Sequence, residues 1–147
     1  MNVFVCLDEM GGMTFNKRRQ SSDRVIREDI LQTIGEKQLY VNSYTAKQFE
    51  EDSRLLVDDA CMENAKSGDY VFLENIAIGD YVSDIENIIV YRWQRKYPAD
   101  FFFDVDLTSD NWNLSSSEEI TGYSHEIIIK EIYEKAIREW WIWNIKN

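Results

Sequence analysis

The chain has 147 residues and a formal net charge of −11, from 16 Lys and Arg against 27 Asp and Glu. Its length fits one domain and its 44% hydrophobic content supports a buried core, so we interpret residues 1–147 as a single domain. Nucleic-acid backbones are bound by clustered Lys and Arg, so the acidic charge disfavours nucleic acid as a partner. No apolar run approaches the ~20 residues that span a bilayer, and the N-terminus lacks the pattern of a secretion signal. We therefore expect a cytoplasmic protein without a membrane partner.

The residue types and motifs that the sequence lacks exclude several kinds of metal site and catalytic mechanism. His125 is the one histidine, which excludes metal sites and mechanisms that need several imidazoles, so no metal site is predicted. Cys6 and Cys61 form no CxxC pair and are expected to be buried, reduced thiols. The sequence contains no GxxxxGK[ST], GxGxxG or GxSxG motif. A serine nucleophile would have to recruit His125 as its base, and the spacing does not indicate which serine.

Strands and short helices alternate along the first half of the sequence. Residues 3–7 form a continuously apolar run, which predicts a buried strand, and a polar loop follows over 8–22. Further strands are predicted over 38–42, 54–57, 70–73 and 88–93, and short helices over 44–49 and 61–66.

One longer helix is predicted between the first two strands. Isoleucines recur every four residues over 26–34 and therefore share one face. Ser21 or Ser22 can cap the N-terminus of this helix, and Gly35 supplies a left-handed stop.

The second half is predicted to be richer in strand. Residues 101–105 and a long stretch from about 119 to 133 have extended patterns, separated by a polar region over 108–117. Strand–helix alternation followed by an antiparallel close predicts an α/β fold. We expect a three-layer sandwich with a mostly parallel central sheet and a C-terminal antiparallel hairpin.

Several segments carry a resemblance to a known family. Residues 7–13 read LDEMGGM, an acidic Gly-Gly-apolar loop behind the first strand, and Thr45 stands at the start of the helix behind the second strand. Residues 97–104 read YPADFFFD and are followed by Trp112 and by SHEII at 124–128. In this order and spacing, the segments resemble dihydrofolate reductase over roughly the whole chain. The resemblance implies a dihydrofolate reductase-like fold.

The same resemblance implies candidate site residues. Asp23 falls near the family's pterin-holding carboxylate and is the candidate catalytic residue, although an Asp in a first helical turn can also serve only to stabilise the helix dipole. Residues 15–22 are shorter and more basic than the family's segment that walls the pterin site. Arg54 falls roughly where the family keeps an arginine for the folate glutamate tail, and an exposed arginine at the entry of a strand is the alternative. The candidate ligand-binding residues are Gly11, Gly12, Arg18, Arg19, Thr45 and Arg54.

Two departures from the family pattern concern the cofactor. The family's glycine pair after the fourth strand, which lets the backbone approach a dinucleotide pyrophosphate, is replaced by Glu74 and Asn75. The family's Gly-Arg step before the threonine is replaced by Asn42 and Ser43. These replacements imply a lost or altered cofactor site, with NADPH expected only if the chain is an active reductase.

The chain is also similar to short bacterial proteins that carry the label ribonuclease Z. True members of that enzyme class use several histidines around two metals, and this chain has only His125. We therefore do not expect a metal-dependent ribonuclease. His125 itself is expected to be a hydrogen-bonded histidine at the surface or sheet edge of the final hairpin, with a catalytic acid or base as the alternative.

Two charged or aromatic segments leave their interpretation open. Residues 17–19 read KRR and are either a solvated loop or a site for a phosphate, a nucleotide or an acidic peptide. Residues 134–147 form a Trp-rich extension behind a core of 1–133, and one short element does not bury so many indoles. We expect a packing or homodimer contact there, through Trp140, Trp141 and Trp143.

Three hypotheses for function follow. The leading one is a dihydrofolate reductase-like domain that has lost ordinary NADPH-dependent reduction and binds a small molecule or protein partner through a cleft bordered by Gly11, Gly12, Arg18, Arg19 and Asp23. The second is an active oxidoreductase of the same fold that acts on a pterin or related heterocycle with a remodelled nucleotide site. The third is an acidic protein-interaction or nucleic-acid-mimic module.

Overall fold

The computed structural model describes residues 1–136. The strands are β1 (Asn2–Leu7), β2 (Gly12–Phe15), β3 (Arg18–Arg19), β4 (Leu39–Val41), β5 (Leu55–Val57), β6 (Tyr70–Phe72), β7 (Asn87–Trp93), β8 (Phe101–Phe102), β9 (Trp112–Ile120) and β10 (Ile128–Lys135). The helices are α1 (Arg24–Ile34), α2 (Ser43–Ala46) and α3 (Cys61–Asn64), with a 3₁₀ helix over Gly79–Asp84. None of these helices is long and apolar enough to cross a bilayer. The predicted contact through Trp140, Trp141 and Trp143 lies outside the described residues.

Seven strands form the central sheet in the order β5-β4-β6-β1-β7-β10-β9. The pairings among β5, β4, β6, β1 and β7 are parallel, whereas β10 runs antiparallel to both β7 and β9. A separate three-stranded sheet, β3-β2-β8, is antiparallel. The predicted α/β fold, with its mostly parallel sheet and C-terminal antiparallel hairpin, is confirmed.

The central sheet is covered on both faces. Successive residues of β1 point to opposite sides, so that Val3 and Val5 join one apolar cluster while Phe4 joins the other. The Phe4 side contains the isoleucine face of α1, and the Val3 side contains residues of α3 together with Trp112. The residues of α1 that enter this core are Ile26, Ile30 and Ile34, as their spacing predicts.

The N-terminus of α1 differs from the prediction. The prediction that Ser21 or Ser22 caps the helix was wrong, because Asp23 has extended backbone angles and its carboxylate accepts a hydrogen bond from Val25 N–H at 2.9 Å. An aspartate is as good a cap as a serine, and the choice depends on where the chain enters the helix. The C-terminal prediction is confirmed, since Gly35 ends the helix with φ 62°.

Strands with polar sequences escaped prediction. The region over 108–117 was predicted as a polar spacer, yet most of it belongs to β9, an edge strand that is almost wholly exposed and therefore has no apolar alternation. The predicted stretch over 119–133 is interrupted by the turn between β9 and β10. The predicted loop over 8–22 contains the β2–β3 hairpin, whose turn residues Asn16 and Lys17 have φ of 51° and 62°.

Replacing Gly35 with Ala is expected to lower the free energy of unfolding by about 1–2 kcal/mol. Gly35 has φ 62° and ψ −121°, and an added Cβ would meet no atom within 4 Å, so the cost comes from the backbone conformation alone. Urea unfolding measures the change, and Glu36→Ala at the exposed neighbouring position is the matched control. Equal unfolding midpoints for the two variants would contradict the prediction.

Candidate functional site

An ion pair joins β3 to the segment after β6. The Arg19 Nε lies 2.8 Å from Glu74 Oε2, and Arg19 Nη2 lies 3.1 Å from Glu74 Oε1. The Glu74 side chain is 6% exposed and that of Arg19 is 26% exposed. The guanidinium carbon also lies 4.6 Å from the centre of the Tyr44 ring, and the Tyr44 hydroxyl accepts a hydrogen bond from Arg19 N–H at 2.7 Å. The Glu74 carboxylate is therefore buried and already neutralised.

A second polar bridge links the ends of β4 and β6. The side-chain amide of Asn42 donates to Asn75 Oδ1 at 2.8 Å, and its own Oδ1 accepts from Thr45 N–H at 2.9 Å as the cap of α2. Ser43 donates through its N–H and its hydroxyl to the Asp59 carboxylate. Thr45 is completely buried, and its hydroxyl has no hydrogen-bond partner within residues 1–136. Asn42 and Asn75 are thus tied to each other by their side chains, while Ser43 is tied to Asp59.

A buried carboxylate organises the loop after β1. Asp8 accepts hydrogen bonds from the N–H groups of Met10 and Gly12, both at 2.8 Å, from Tyr97 N–H at 3.2 Å and from the Gln20 amide at 2.9 Å. Burial alone would raise the pKa of Asp8, but these hydrogen bonds outweigh it and lower the pKa below its usual value. Asp8 therefore stays ionised and holds the loop in place.

The two candidate glycines differ in their surroundings. Gly11 has φ 78° and open space where a side chain would begin. A Cβ at Gly12 would lie only 2.6 Å from Gln20 Nε2 and 2.8 Å from Asp8 Oδ2. Gly12 therefore permits close packing around Asp8, whereas Gly11 borders open space.

A cavity of about 470 Å³ opens beside the β2–β3 hairpin. Arg18, on its wall, is exposed and forms no ion pair within the described part of the chain. The Gln20 side-chain oxygen is buried and has no hydrogen-bond partner there. The cavity is lined by Phe15, Asn16, Arg18, Arg19, Gln20, Tyr97 and Pro98. Its size is within the range of small-molecule sites.

The Asp23 carboxylate accepts hydrogen bonds from α1 and from the turn between β9 and β10. Its Oδ1 accepts from the N–H groups of Val25 and Tyr123, each at 2.9 Å. Its Oδ2 accepts from Ser124 N–H at 3.0 Å, from His125 N–H at 3.2 Å and from His125 Nδ1 at 2.8 Å. Burial acts to raise the pKa of Asp23, but the hydrogen bonds from His125 and the backbone outweigh it and hold the pKa far below its usual value. Asp23 is therefore a buried anion that fastens the β9–β10 turn to α1.

His125 lies in the β9–β10 turn, the predicted hairpin, with its side chain 17% exposed. The Ser21 hydroxyl lies 2.8 Å from Nε2, on the side of the imidazole opposite to Asp23. The ring packs against Trp93 with 4.5 Å between ring centres. His125 also lines a second cavity, of about 630 Å³.

Arg54 lies at the other end of α1. Its Nη1 donates to the carbonyl oxygens of Leu31 and Gly35, at 3.1 and 2.9 Å, and its Nε and Nη2 donate to the Asp52 carboxylate. The guanidinium thus satisfies the last carbonyls of the helix. Arg54 does not line either of these cavities.

The thiols do not form a site. Cys6 and Cys61 are free, and burial, followed by nearby carboxylates, raises the pKa of each thiol, to about 11 for Cys61. Across residues 1–136, no three His, Cys, Asp or Glu side chains are arranged to hold a metal ion.

No protein-family model and no curated protein sequence matches the chain. Among solved structures, it is similar to dihydrofolate reductase from Enterococcus faecalis complexed with NADP(H) and RAB-propyl, with a TM-score of 0.66. The similarity covers 92% of this chain and 96% of that chain, at 10% sequence identity. The chain has a dihydrofolate reductase-like fold. At this identity the comparison establishes the fold and leaves the activity to be argued from the site.

On this fold the candidate residues fall into separate groups. Arg18 and Arg19 meet at the first cavity, Asp23 lies with His125, and Thr45 is buried beneath the Asn42–Asn75 bridge. Sequence reasoning missed Gln20, Tyr97 and the Ser21–His125 contact. The only signal for the last of these was that His125 is the one available imidazole. Asp23 and His125 are 102 residues apart in the chain, so no local pattern reports their contact.

Proposed function

We propose that this chain is a divergent dihydrofolate reductase-like domain that has lost ordinary NADPH-dependent reduction and binds a small anionic ligand beside the β2–β3 hairpin. The observation that carries the first part is the Arg19–Glu74 ion pair, with Glu74 only 6% exposed. This pair occupies the position at which the family resemblance implies close approach of glycine backbone to a pyrophosphate.

The ion pair opposes a dinucleotide in two ways. A pyrophosphate in this position would face the Glu74 carboxylate, and like charges in a partly desolvated site repel strongly. If the phosphate instead took Arg19 for itself, Glu74 would be left buried without its partner, at a cost of about 3–5 kcal/mol for a fully buried pair. The Asn42–Asn75 hydrogen bond closes the adjacent strand ends. Binding of NADPH in the family's manner would require both bridges to open.

The first cavity supports a ligand of a different kind. Arg18 offers a guanidinium that Glu74 does not neutralise, and guanidinium groups bind carboxylates and phosphates through paired hydrogen bonds. The Gln20 side chain also lines the cavity, with its amide oxygen buried. The Tyr97 ring and Pro98 supply apolar surface. The combination fits a small anion that carries an apolar part.

The cofactor half of the proposal is tested by titrating NADPH and dihydrofolate into the purified protein, while following tryptophan emission and the nicotinamide absorbance. We expect no saturable quenching by NADPH and no oxidation of NADPH in the presence of dihydrofolate. Turnover that disappears in a folded Asp23→Asn variant would contradict the proposal and identify an active reductase on a pterin, with Asp23 orienting the substrate.

The proposed anion site is tested by thermal unfolding in the presence of phosphate, citrate or nucleoside monophosphates as probes. Binding to the native state raises the unfolding temperature. At least one of these anions should raise it for the wild type and for Lys17→Ala, and not for Arg18→Ala. Lys17 is the matched control because it is an exposed cation on the same hairpin that does not line the cavity. An equal response of all three proteins would contradict the proposed site.

A further inference from the structure

Three polar side chains lie in line at the junction of the β9–β10 turn with α1. The Ser21 Oγ lies 2.8 Å from His125 Nε2, and His125 Nδ1 lies 2.8 Å from Asp23 Oδ2. The same sequence of contacts, hydroxyl to one imidazole nitrogen and carboxylate to the other, activates the nucleophile of serine hydrolases on several unrelated folds. Such sites are recognised by geometry rather than by their position in the sequence.

The ionised carboxylate determines the direction of the hydrogen bonds. The hydrogen bonds around Asp23 keep its pKa low, so the carboxylate is an acceptor only, and His125 Nδ1 must carry the proton between them. In the neutral imidazole, Nε2 is then an acceptor, and the Ser21 hydroxyl donates to it. This is the tautomer in which an imidazole can take a proton from a serine.

The imidazole is held by more than one neighbour. Trp93 packs against the ring, and His125 N–H donates to the same Asp23 carboxylate that fixes Nδ1. A Cβ at Gly122 would lie 2.5 Å from the His125 carbonyl oxygen and 2.7 Å from Asp23 Oδ2, so the turn packs tightly around the carboxylate. A base whose orientation is fixed by a sheet and a helix cap is preorganised for proton transfer.

Ser21 is partly exposed, and a cavity adjoins its base, His125. Ser21 does not itself line this cavity of about 630 Å³, which is lined by its hydrogen-bond partner His125. The other residues of this cavity are Gln94, Arg95, Glu119, Ser124, Glu126, Ile127 and Ile129. Two carboxylates against one guanidinium disfavour an anionic substrate, and the two isoleucines supply apolar surface. A small uncharged ester fits this composition.

We propose that Ser21 is a nucleophile, with His125 as its base and Asp23 as the group that orients the base, and that the chain hydrolyses small uncharged carboxylic esters. Ser21 Oγ attacks the ester carbonyl carbon while its proton passes to His125 Nε2. The bond to the alkoxy oxygen breaks, and the leaving alcohol takes that proton. Water then attacks the acyl-serine, giving up a proton to His125, and the carboxylic acid leaves as Ser21 regains a proton. One ester and one water yield one acid and one alcohol.

This activity is independent of the ligand proposed for the first cavity. It is tested with the full chain and a fluorophosphonate probe, which phosphonylates activated serines, followed by mass-spectrometric mapping of the adduct. We expect the adduct on Ser21, its loss in Ser21→Ala, and a rate about 10²-fold lower in His125→Gln, in line with the smallest contribution of a general base. Hydrolysis of p-nitrophenyl acetate should fall in the same variants.

The matched control is Ser22→Ala, which removes the exposed neighbouring serine and should leave labelling unchanged. Circular dichroism checks that each variant is folded, and Ser21→Ala is the decisive variant because it removes only a partly exposed hydroxyl. Absence of an adduct, an adduct on another residue, or labelling of Ser21 at the full rate in folded His125→Gln would each overturn the proposal.

Discussion

The Asp23→Asn variant is expected to lose about 3 kcal/mol of unfolding free energy at neutral pH. The carboxylate caps α1 through Val25 N–H and also accepts hydrogen bonds from Tyr123, Ser124 and His125. An asparagine amide has one acceptor and one donor group, so its NH₂ would face groups that also donate. Urea unfolding at pH 7 measures the loss, with Glu28→Gln on the exposed face of α1 as the control, for which a change within about 0.5 kcal/mol is expected.

The pH dependence of stability distinguishes the contribution of the Asp23 charge from that of the shape of its side chain. The folded pKa of Asp23 is lowered, so its stabilising contribution is complete above the unfolded pKa of about 4 and is lost as the pH falls below that value. The difference in unfolding free energy between wild type and Asp23→Asn should therefore shrink as the pH falls from about 5 to about 3, a range that contains the unfolded pKa. Asp8, whose pKa is also lowered, is present in both proteins and does not affect the comparison. A difference that stays constant with pH would contradict the assignment.

Replacing Arg19 with Ala is expected to cost about 2–3 kcal/mol of unfolding free energy, because Glu74 is left buried without a counter-charge. This expected loss is smaller than the roughly 3–5 kcal/mol of a fully buried pair, because the Arg19 side chain is 26% exposed. Arg18→Ala is the matched control, because Arg18 is the exposed neighbour in the same strand. Urea unfolding of both variants provides the measurement.

A double variant shows whether the cost comes from the unpaired charge. In Arg19→Met/Glu74→Leu both charges are replaced by apolar groups, and such replacements of buried pairs are often neutral. We expect it to be more stable than Arg19→Met alone, with a coupling of about 1 kcal/mol or more in the cycle that also includes Glu74→Leu alone. Equal stability of Arg18→Ala and Arg19→Ala would show that the pair does not stabilise the fold.

Elements whose apolar residues are buried in the core were predictable from the sequence. The isoleucine spacing of α1 and the apolar runs of β1 and β7 correspond to the buried faces that the structure contains. Of the strands that escaped prediction, β9 and β3 lie at edges of their sheets and place few or no side chains in a core, whereas β2 is the central strand of the small sheet and is mostly buried. Their pairing depends on backbone hydrogen bonds to a neighbour, which a hydrophobic pattern does not report.

In the candidate site, too, part of the arrangement was predictable from the sequence and part was not. The family resemblance implied that Glu74 and Asn42 depart from the cofactor-binding pattern. It did not predict that Arg19 and Asn75 would be their hydrogen-bond partners. It placed Asp23 near a substrate, whereas the structure surrounds the carboxylate with Val25 and the turn over 123–125. Residue types can be read along the chain, while their partners depend on how distant segments pack.

The sequence alone therefore determined which faces of α1 and the central strands are apolar, because local spacing specifies which faces must be buried, and the resemblance implied the dihydrofolate reductase-like fold. Only the tertiary structure decided which charges remain available. Glu74 and Arg19 neutralise each other, Asp23 turns to His125, and Arg18 is left facing a cavity. These pairings join residues from separate strands, helices and turns, so they exist only when the sheet has brought those elements together.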